Sequence, residues 1–154
     1  MAELNFRPDY LREIKGINIQ VIAHKEQACG ITGEWWTDEN GVVQIRVSRL
    51  GDIRAEALHI AHEVVEWAAS VGDPLAMDDD LTNVQDEKFL KLRREGKLPK
   101  GHEEVGFGPN CLYAKGHHLG TATELILCQN LGLNWIDYDN RVCQVAFEGK
   151  EFDF

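Results

Sequence analysis

The stretch 53–71 constrains this chain more than any other, because it is apolar on almost every side of the helix that it predicts. At 100° per residue, one broad face is formed by seven apolar residues, which are Ile53, Ala57, Ile60, Ala61, Val64, Ala68 and Val71. Asp52 can cap the start of this helix, and Gly72 followed by Pro74 ends it. We therefore expect a helix over 53–71 that packs on a sheet and buries its Ile60/Val64 face.

The apolar surface of this helix is interrupted by one row of polar residues, which we call the polar line. His59, His62, Glu63 and Glu66 recur at spacings of three and four residues, so they share one side of it. From Ala55 to Glu87 the chain holds nine acidic residues and no Lys or Arg, and this stretch carries almost the whole formal net charge of −10. The line is either solvated or half-buried. If it is half-buried, its carboxylates need partners such as a divalent cation, because burying them unpaired is costly.

The polar line contains the motif His62-Glu63-Val64-Val65-Glu66, which has the layout of the H-E-x-x-H metallohydrolase helix. Two ligands one helical turn apart lie on the same side and suit a tetrahedral ion. Here Glu66 replaces the second histidine, and a carboxylate is also a zinc ligand. The motif therefore predicts His62 and Glu66 as metal ligands and Glu63 as the catalytic general base.

A later helix, predicted over 117–131, carries complementary groups. His117 and Glu124 are seven residues apart and so share one face of that helix. The small residue Gly120 beside them would let another helix approach closely. We expect His117 to be a third ligand, close to those of the first helix, and Glu124 to be a fourth ligand or to orient His117. The alternative is a metal-free, hydrogen-bonded cluster of the same side chains.

The order of the predicted elements indicates one α+β domain over 1–154, with a small antiparallel sheet packed against about three helices. The remaining segments are an N-terminal arm at 1–16, strands at 17–23 and 42–48, a turn at 38–41, a second helix from Asp79 or Asp80 to Glu95, a loop at 96–116, and a short C-terminal helix or turn followed by a strand. The loop holds five glycines and two prolines, so we expect it to be a mobile cover over the site.

Composition argues against several classes of protein. A net charge of −10 repels phosphate, so no nucleic-acid partner is expected. No apolar run approaches the roughly eighteen residues of a membrane span, and the N-terminus has no apolar signal region. The four cysteines form no C-x-x-C pair, which favours reduced thiols in a cytoplasmic protein.

Between residues 17 and 142 the chain resembles a group of uncharacterised phage and prophage proteins. The matching segments are INIQVIAHKEQ, GEWWTDENGVVQIRVSRLGDIRAEAL, HEVVEW, Asp86, Tyr113, His117, Glu124 and LGLNWIDYDNRV. Such proteins typically show a HELxE helix and a later Y…HxxAxxxE…LGxxW stretch. The resemblance implies a phage or prophage origin and a location in the cytoplasm of the bacterial host. It groups six polar positions, namely His62, Glu63, Glu66, Asp86, His117 and Glu124, without implying a particular reaction.

A weaker resemblance is to minimal zincin-like metallopeptidases. In those enzymes a strand at the sheet edge precedes the metal helix and aligns a peptide beside it. Strand 42–48 followed by the His62 helix has this order, which implies a zincin-like layout and a protein or peptide partner.

Three functional hypotheses follow from these patterns. The first is a zinc-dependent hydrolase, in which the ion lowers the pKa of water and polarises a carbonyl or phosphoryl oxygen. The second is a non-catalytic phage accessory or host-inhibitor protein, whose acidic surface would occupy a basic host site. The third is a magnesium-dependent nucleotide pyrophosphatase similar to MazG-like helical enzymes, which use carboxylates on paired helices.

Overall fold

The structure is a computed structural model that describes residues 13–28, 30–100, 106–108 and 110–153. Its elements are β1 (Gly16–Ile22), a 3-10 turn (His24–Glu26), β2 (Gly33–Thr37), β3 (Val42–Ser48), α1 (Ile53–Ser70), α2 (Asp79–Arg94), α3 (Ala114–Asn130) and α4 (Trp135–Glu148). The fold is α+β, as the sequence predicts. The expected arm at 1–16 falls outside the described residues up to residue 12, and Gly16 already belongs to β1.

The sheet is mixed, with the strand order β1-β3-β2. β2 and β3 pair antiparallel, whereas β1 pairs parallel with the other side of β3. The expected antiparallel pairing therefore holds for β2 and β3 only. Strand 42–48 (β3), which the zincin-like resemblance implies to be an edge strand, is the central strand, and β2 is at the edge. The sequence pattern predicts no strand at Gly33–Thr37, which is β2 in the structure. Because this segment occupies one edge of β3 as its hairpin partner, only the other edge of β3 is open to β1. β1 pairs there in the parallel direction.

The predicted turn at 38–41 joins β2 to β3. Asp38 Oδ1 accepts hydrogen bonds from the backbone amides of Asn40 at 2.8 Å and Val42 at 3.0 Å. Gly41 has a φ of +80°, a left-handed conformation that costs glycine little. The hairpin places Gly33 opposite Val47 and Trp35 opposite Ile45, so that these residues share the face of the sheet that α1 covers.

α1 begins where the sequence predicts. The carboxylate of Asp52 accepts a hydrogen bond from the backbone amide of Arg54 at 2.9 Å, which satisfies one of the free N–H groups of the first turn. The helix packs on β2 and β3 and along α3. The expected packing of this helix on the sheet is therefore confirmed.

The predicted rotation of α1 about its axis is wrong. The buried residues of the helix are Ala55, Glu56, Leu58, His59, His62, Glu63, Glu66 and Ser70. Ile60 and Val64 are only half-buried, and Ile53 is 74% exposed. The polar line, and not the broad apolar face, is turned toward the sheet and α3, because the polar side chains find partners there.

The C-terminal segment is a helix, where the sequence predicts a short helix or turn followed by a strand. The side chain of Asn134 caps α4 by accepting from the amide of Asp137 at 3.1 Å, and Gly149 ends the helix at a φ of +64°. The inward residues recur with a helical period and are Trp135, Tyr138, Val142 and Val145. Valines favour strands in general, but here the helical period of the inward residues decides the structure.

The connection between α2 and α3 covers 95–113 and is slightly shorter than the predicted loop at 96–116, because α3 begins at Ala114 and not at His117. The hydrophobic core lies where α1, α3 and α4 meet, and its buried members are Leu50, Ala55, Leu58, Cys128, Tyr138 and Val145. None of the helices in the described ranges combines the length and apolar character that crossing a membrane requires.

Candidate metal centre

Two glycines bring α3 close to the polar line of α1. A Cβ atom on Gly120 would lie 2.9 Å from the His62 ring, and one on Gly116 would lie 2.7 Å from the backbone oxygen of Glu66. Both distances are shorter than ordinary van der Waals contact, so only glycine allows this approach. The expectation that Gly120 permits close packing is confirmed, and the buried stripe of α3 continues through Glu124.

Three donor atoms converge between the two helices. His62 Nε2 lies 3.3 Å from Glu66 Oε2 and 3.1 Å from His117 Nδ1. His117 Nδ1 lies 3.0 Å from Glu66 Oε2. A tetrahedral ion with bonds of about 2.0–2.2 Å needs donor atoms about 3.3–3.6 Å apart, only a few tenths of an ångström more. The expected proximity of His117 to the other two residues is confirmed, and this group could hold a metal ion.

Glu124 lies on the far side of the His62 ring from these donor atoms. Its Oε2 atom is 3.0 Å from His62 Nδ1, and its Oε1 atom accepts a hydrogen bond from the Tyr138 hydroxyl. The structure thus places Glu124 on His62 and not on His117. A carboxylate in this position fixes the ring and the tautomer that leaves Nε2 facing the donor cluster.

Without a bound ion, the pKa of His62 and those of its two carboxylate neighbours are shifted in opposite directions. Burial lowers the pKa of His62, but hydrogen bonds to Glu124 and Glu66 outweigh it and raise this pKa to about 11. Burial raises the pKa values of Glu66 and Glu124, but histidine neighbours outweigh it and lower each to about 2. His62 is then an imidazolium between two carboxylates, and a metal ion would have to displace its Nε2 proton.

Glu63 lies beside the donor cluster and against the backbone of β2. A Cβ atom on Gly33 would lie only 2.0 Å from Glu63 Oε1. Burial raises the pKa of Glu63 well above its usual range, and the carboxylates of Glu66 and Glu124 raise it further. A raised pKa makes the Glu63 carboxylate, once ionised, a stronger base than an exposed carboxylate.

Trp35 is a residue of the site that no sequence pattern indicates. Its indole Nε1 donates a hydrogen bond of 2.9 Å to Glu66 Oε1, which leaves Oε2 directed at the two histidines. The register of β2 against β3 positions this indole. No local pattern around Trp35 could have indicated this, because the contact joins a strand and a helix that are 31 residues apart.

Asp86 and Tyr113 form a buried pair near His117. The Tyr113 hydroxyl donates to Asp86, and the Tyr113 ring centroid is 6.5 Å from that of His117. Burial, together with the charge of Glu66, raises the pKa of Asp86 to about 7 against the effect of the Tyr113 hydrogen bond. Asp86 was indicated only by resemblance, and it lies outside the cluster of three donor atoms.

Part of the predicted cover contacts the site. A Cβ atom on Gly106 would lie 2.3 Å from the His117 ring, and the Phe107 ring centroid is 5.0 Å from that of His117. Residues 101–105 and 109 lie outside the described residues. The position of the loop over His117 agrees with the hypothesis of a cover, and its mobility stays a prediction.

A cavity of about 590 Å³ opens beside the donor cluster. All five predicted site residues line it, and so does His59, the remaining member of the polar line. Its aromatic lining residues are Trp35, Trp36, Phe89, Phe107, Tyr113, Trp135, Tyr138 and Phe147. The cavity is large enough for a small molecule or for one or two residues of a peptide.

No protein-family model, curated protein or solved structure matches this chain. Both resemblances therefore stay hypotheses.

Proposed function

We propose that this protein is a metal-dependent hydrolase, with zinc held by His62, Glu66 and His117. The observation that carries the proposal is the convergence of two imidazole nitrogens and one carboxylate oxygen, each 3.0–3.3 Å from the others. Two nitrogen donors and one oxygen donor suit zinc, whereas magnesium prefers oxygen ligands throughout. Three protein ligands leave one tetrahedral position for water or substrate, as in catalytic zinc sites.

Each neighbouring residue then has a distinct task. Zinc, when bound, supplies Lewis-acid polarisation and makes water more acidic. Glu63 takes the proton of the attacking water, and its burial against β2 keeps its carboxyl group in place. Glu124 holds the His62 ring through Nδ1, and Trp35 holds the Glu66 carboxylate through Oε1. Both contacts preorganise the ligands before the ion binds.

The edge of the sheet favours an extended substrate. β2 pairs with β3 on one side, and no other strand of the described ranges pairs with its outer edge. Because Gly33 of β2 contacts Glu63, this edge lies beside the general base. An extended peptide can add to such an edge through main-chain hydrogen bonds, so we propose a peptide-like amide as the scissile group.

Metal content tests the proposal directly. We expect elemental analysis of protein purified without an affinity tag to find one zinc ion per chain. His117→Ala should lose this zinc, whereas His118→Ala, which alters the adjacent exposed histidine, should retain it. Protein that contains no metal, and that shows no thermal shift on addition of zinc, would instead favour the non-catalytic accessory role.

A second variant separates catalysis from metal binding. Glu63→Gln should keep the zinc and lose hydrolysis, because Glu63 moves protons and does not bind the ion. Cleavage of a quenched-fluorescent peptide library measures the activity, and zinc analysis of the same preparation measures the metal. Loss of zinc from Glu63→Gln would show that its assigned role is wrong.

A further inference from the structure

Tyr138 of α4 belongs both to the hydrophobic core and to the surroundings of the metal centre. Its ring is buried in the core where α1, α3 and α4 meet, and it packs against the Trp135 ring at a centroid distance of 5.6 Å. Its hydroxyl leaves the core and donates a hydrogen bond to Glu124 Oε1 in α3. The residue thus connects α4, which supplies none of the three donor residues, to the edge of the centre.

Both oxygen atoms of the Glu124 carboxylate are engaged. Oε2 lies 3.0 Å from His62 Nδ1, and Oε1 accepts from the Tyr138 hydroxyl. His59 Nδ1 lies beside this second contact, 3.3 Å from the Tyr138 oxygen and 3.6 Å from Glu124 Oε1. The carboxylate cannot rotate without losing one of these contacts. The hydroxyl therefore restrains the oxygen that does not touch His62, and with it the direction of the oxygen that does.

The orientation of the His62 ring depends in turn on Glu124. Gly120 packs closely against this ring, so the ring has little room to tilt, and the contact at Nδ1 fixes its rotation in its own plane. Nε2, on the other side of the same rigid ring, lies 3.3 Å from Glu66 Oε2 and 3.1 Å from His117 Nδ1. A displacement of the Glu124 carboxylate therefore moves the nitrogen that would bind the ion.

Burial makes this series of contacts costly to break. Tyr138, Glu124 and His62 are only 4%, 6% and 5% exposed, so bulk water does not replace a lost partner. A buried acceptor without its donor is destabilised, and the carboxylate reorients toward whichever donors remain. Neighbouring hydrogen bonds in a medium of low dielectric constant also strengthen one another. The three side chains are therefore expected to respond as one unit.

We propose that Tyr138 is a positioning residue of the metal centre, which acts through Glu124 on the orientation of His62. The inference concerns the same centre and therefore rests on the proposed function. It makes α4 energetically part of the centre, so that binding of the ion and docking of α4 stabilise each other. The alternative is a purely structural hydroxyl, which would stabilise the fold without affecting the ion.

Zinc affinity separates these two roles. Tyr138→Phe removes the hydroxyl and keeps the ring, and we expect it to weaken zinc binding by about 3- to 10-fold, less than the loss of roughly 10- to 100-fold for a direct partner of a ligand. Val145→Ala is the matched control, because Val145 is fully buried in the same core and on the same helix. It should destabilise the fold and leave zinc affinity unchanged. Unchanged affinity in Tyr138→Phe, or an equal loss in Val145→Ala, would overturn the inference.

A double-mutant cycle tests the route through Glu124. Tyr138→Phe is introduced into the unaltered chain and into Glu124→Gln, and zinc affinity is measured for all four proteins by competition with a fluorescent chelator. Because Tyr138 acts through the Glu124 carboxylate, its removal should change affinity by less than about twofold once that carboxylate is gone. Losses that simply multiply would show that the two residues act independently, and would overturn the inference.

Hydrogen exchange of the unaltered chain requires no substitution and so does not depend on whether a variant folds. Zinc should slow amide exchange in α4 more than in β1, which pairs with β3 and supplies no residue to the donor cluster. No slowing in α4 beyond that in β1 would overturn the inference. Zinc binding that is equally tight in Tyr138→Phe would overturn this inference alone, whereas an unaltered chain that binds no zinc would overturn the proposed function as well.

Discussion

At the scale of single residues, the placement of Glu63 depends on a residue that has no side chain. A Cβ atom at position 33 would lie 2.0 Å from Glu63 Oε1, so Gly33→Ala must displace the carboxyl group. We expect this variant to lose hydrolytic activity and to keep its zinc, because the three ligand atoms belong to other residues. Turnover and zinc content, measured on the same preparation, check the expectation.

A matched glycine supplies the control. Gly16 lies in β1, and a Cβ atom there would meet only Val42 Cγ1 at 3.9 Å, which is ordinary contact. Gly16→Ala should therefore behave like the unaltered protein. Full activity in Gly33→Ala would contradict the role of β2 in positioning Glu63.

We expect Glu124 to influence metal binding through its contact with His62. Glu124→Gln keeps the shape of the side chain but removes the charge that holds His62 Nδ1–H, so zinc affinity should fall by about 10- to 100-fold. Competition with a fluorescent zinc chelator measures this change. Glu148→Gln, an exposed acid in α4, is the control and should leave the affinity unchanged. A metal-free protein after Glu124→Gln would indicate that Glu124 is itself a ligand.

At the scale of elements, the close contact between α1 and α3 should reverse the usual effect of a glycine-to-alanine substitution on helix stability. Alanine in place of glycine usually stabilises a helix by about 1 kcal/mol. At Gly120 the added Cβ would lie 2.9 Å from the His62 ring, so Gly120→Ala should instead lower the free energy of unfolding by roughly 1–3 kcal/mol. Urea denaturation measures the change, with Gln129→Ala on the exposed side of α3 as the control. Stabilisation by Gly120→Ala would contradict this packing.

The errors of prediction at this scale have a common physical source. The apolar face of α1 and its polar line are both able to face inward, and the sequence of the helix alone favours the apolar one. α3 reverses the choice, because His117 and Glu124 provide partners for the polar line. In α4 likewise, the segment predicted to end in a strand is a helix, because only a helix places both Tyr138 and Val145 against the core.

At the scale of the whole molecule, a bound ion would tie two helices together. An ion that binds only the folded state stabilises it by RT ln(1 + [L]/Kd), about 2.7 kcal/mol at a free concentration 100 times Kd. We expect removal of zinc with a chelator to lower the melting temperature, and re-addition of zinc to restore it. His62→Ala should be insensitive to both treatments. An equal response of this variant would show that the ion binds elsewhere.

The sequence alone determined the features that depend on neighbouring residues. The cap at Asp52, the turn at 38–41 and the spacing of His62 and Glu66 involve atoms within about one helical turn or one tight turn, so a local pattern is sufficient to predict them. The spacing of His117 and Glu124 likewise predicted that both belong to the site, once their helix was recognised.

Only the tertiary structure determined which side chains of the site contact each other and which face of each helix is turned inward. The inward face of α1, the parallel pairing of β1 and the position of Glu124 behind His62 all depend on residues far apart in the chain. The contacts of Trp35 with Glu66 and of His59 with Tyr138 span 31 and 79 residues. Such contacts depend on how whole elements pack, and buried polar atoms favour whichever packing supplies them with partners.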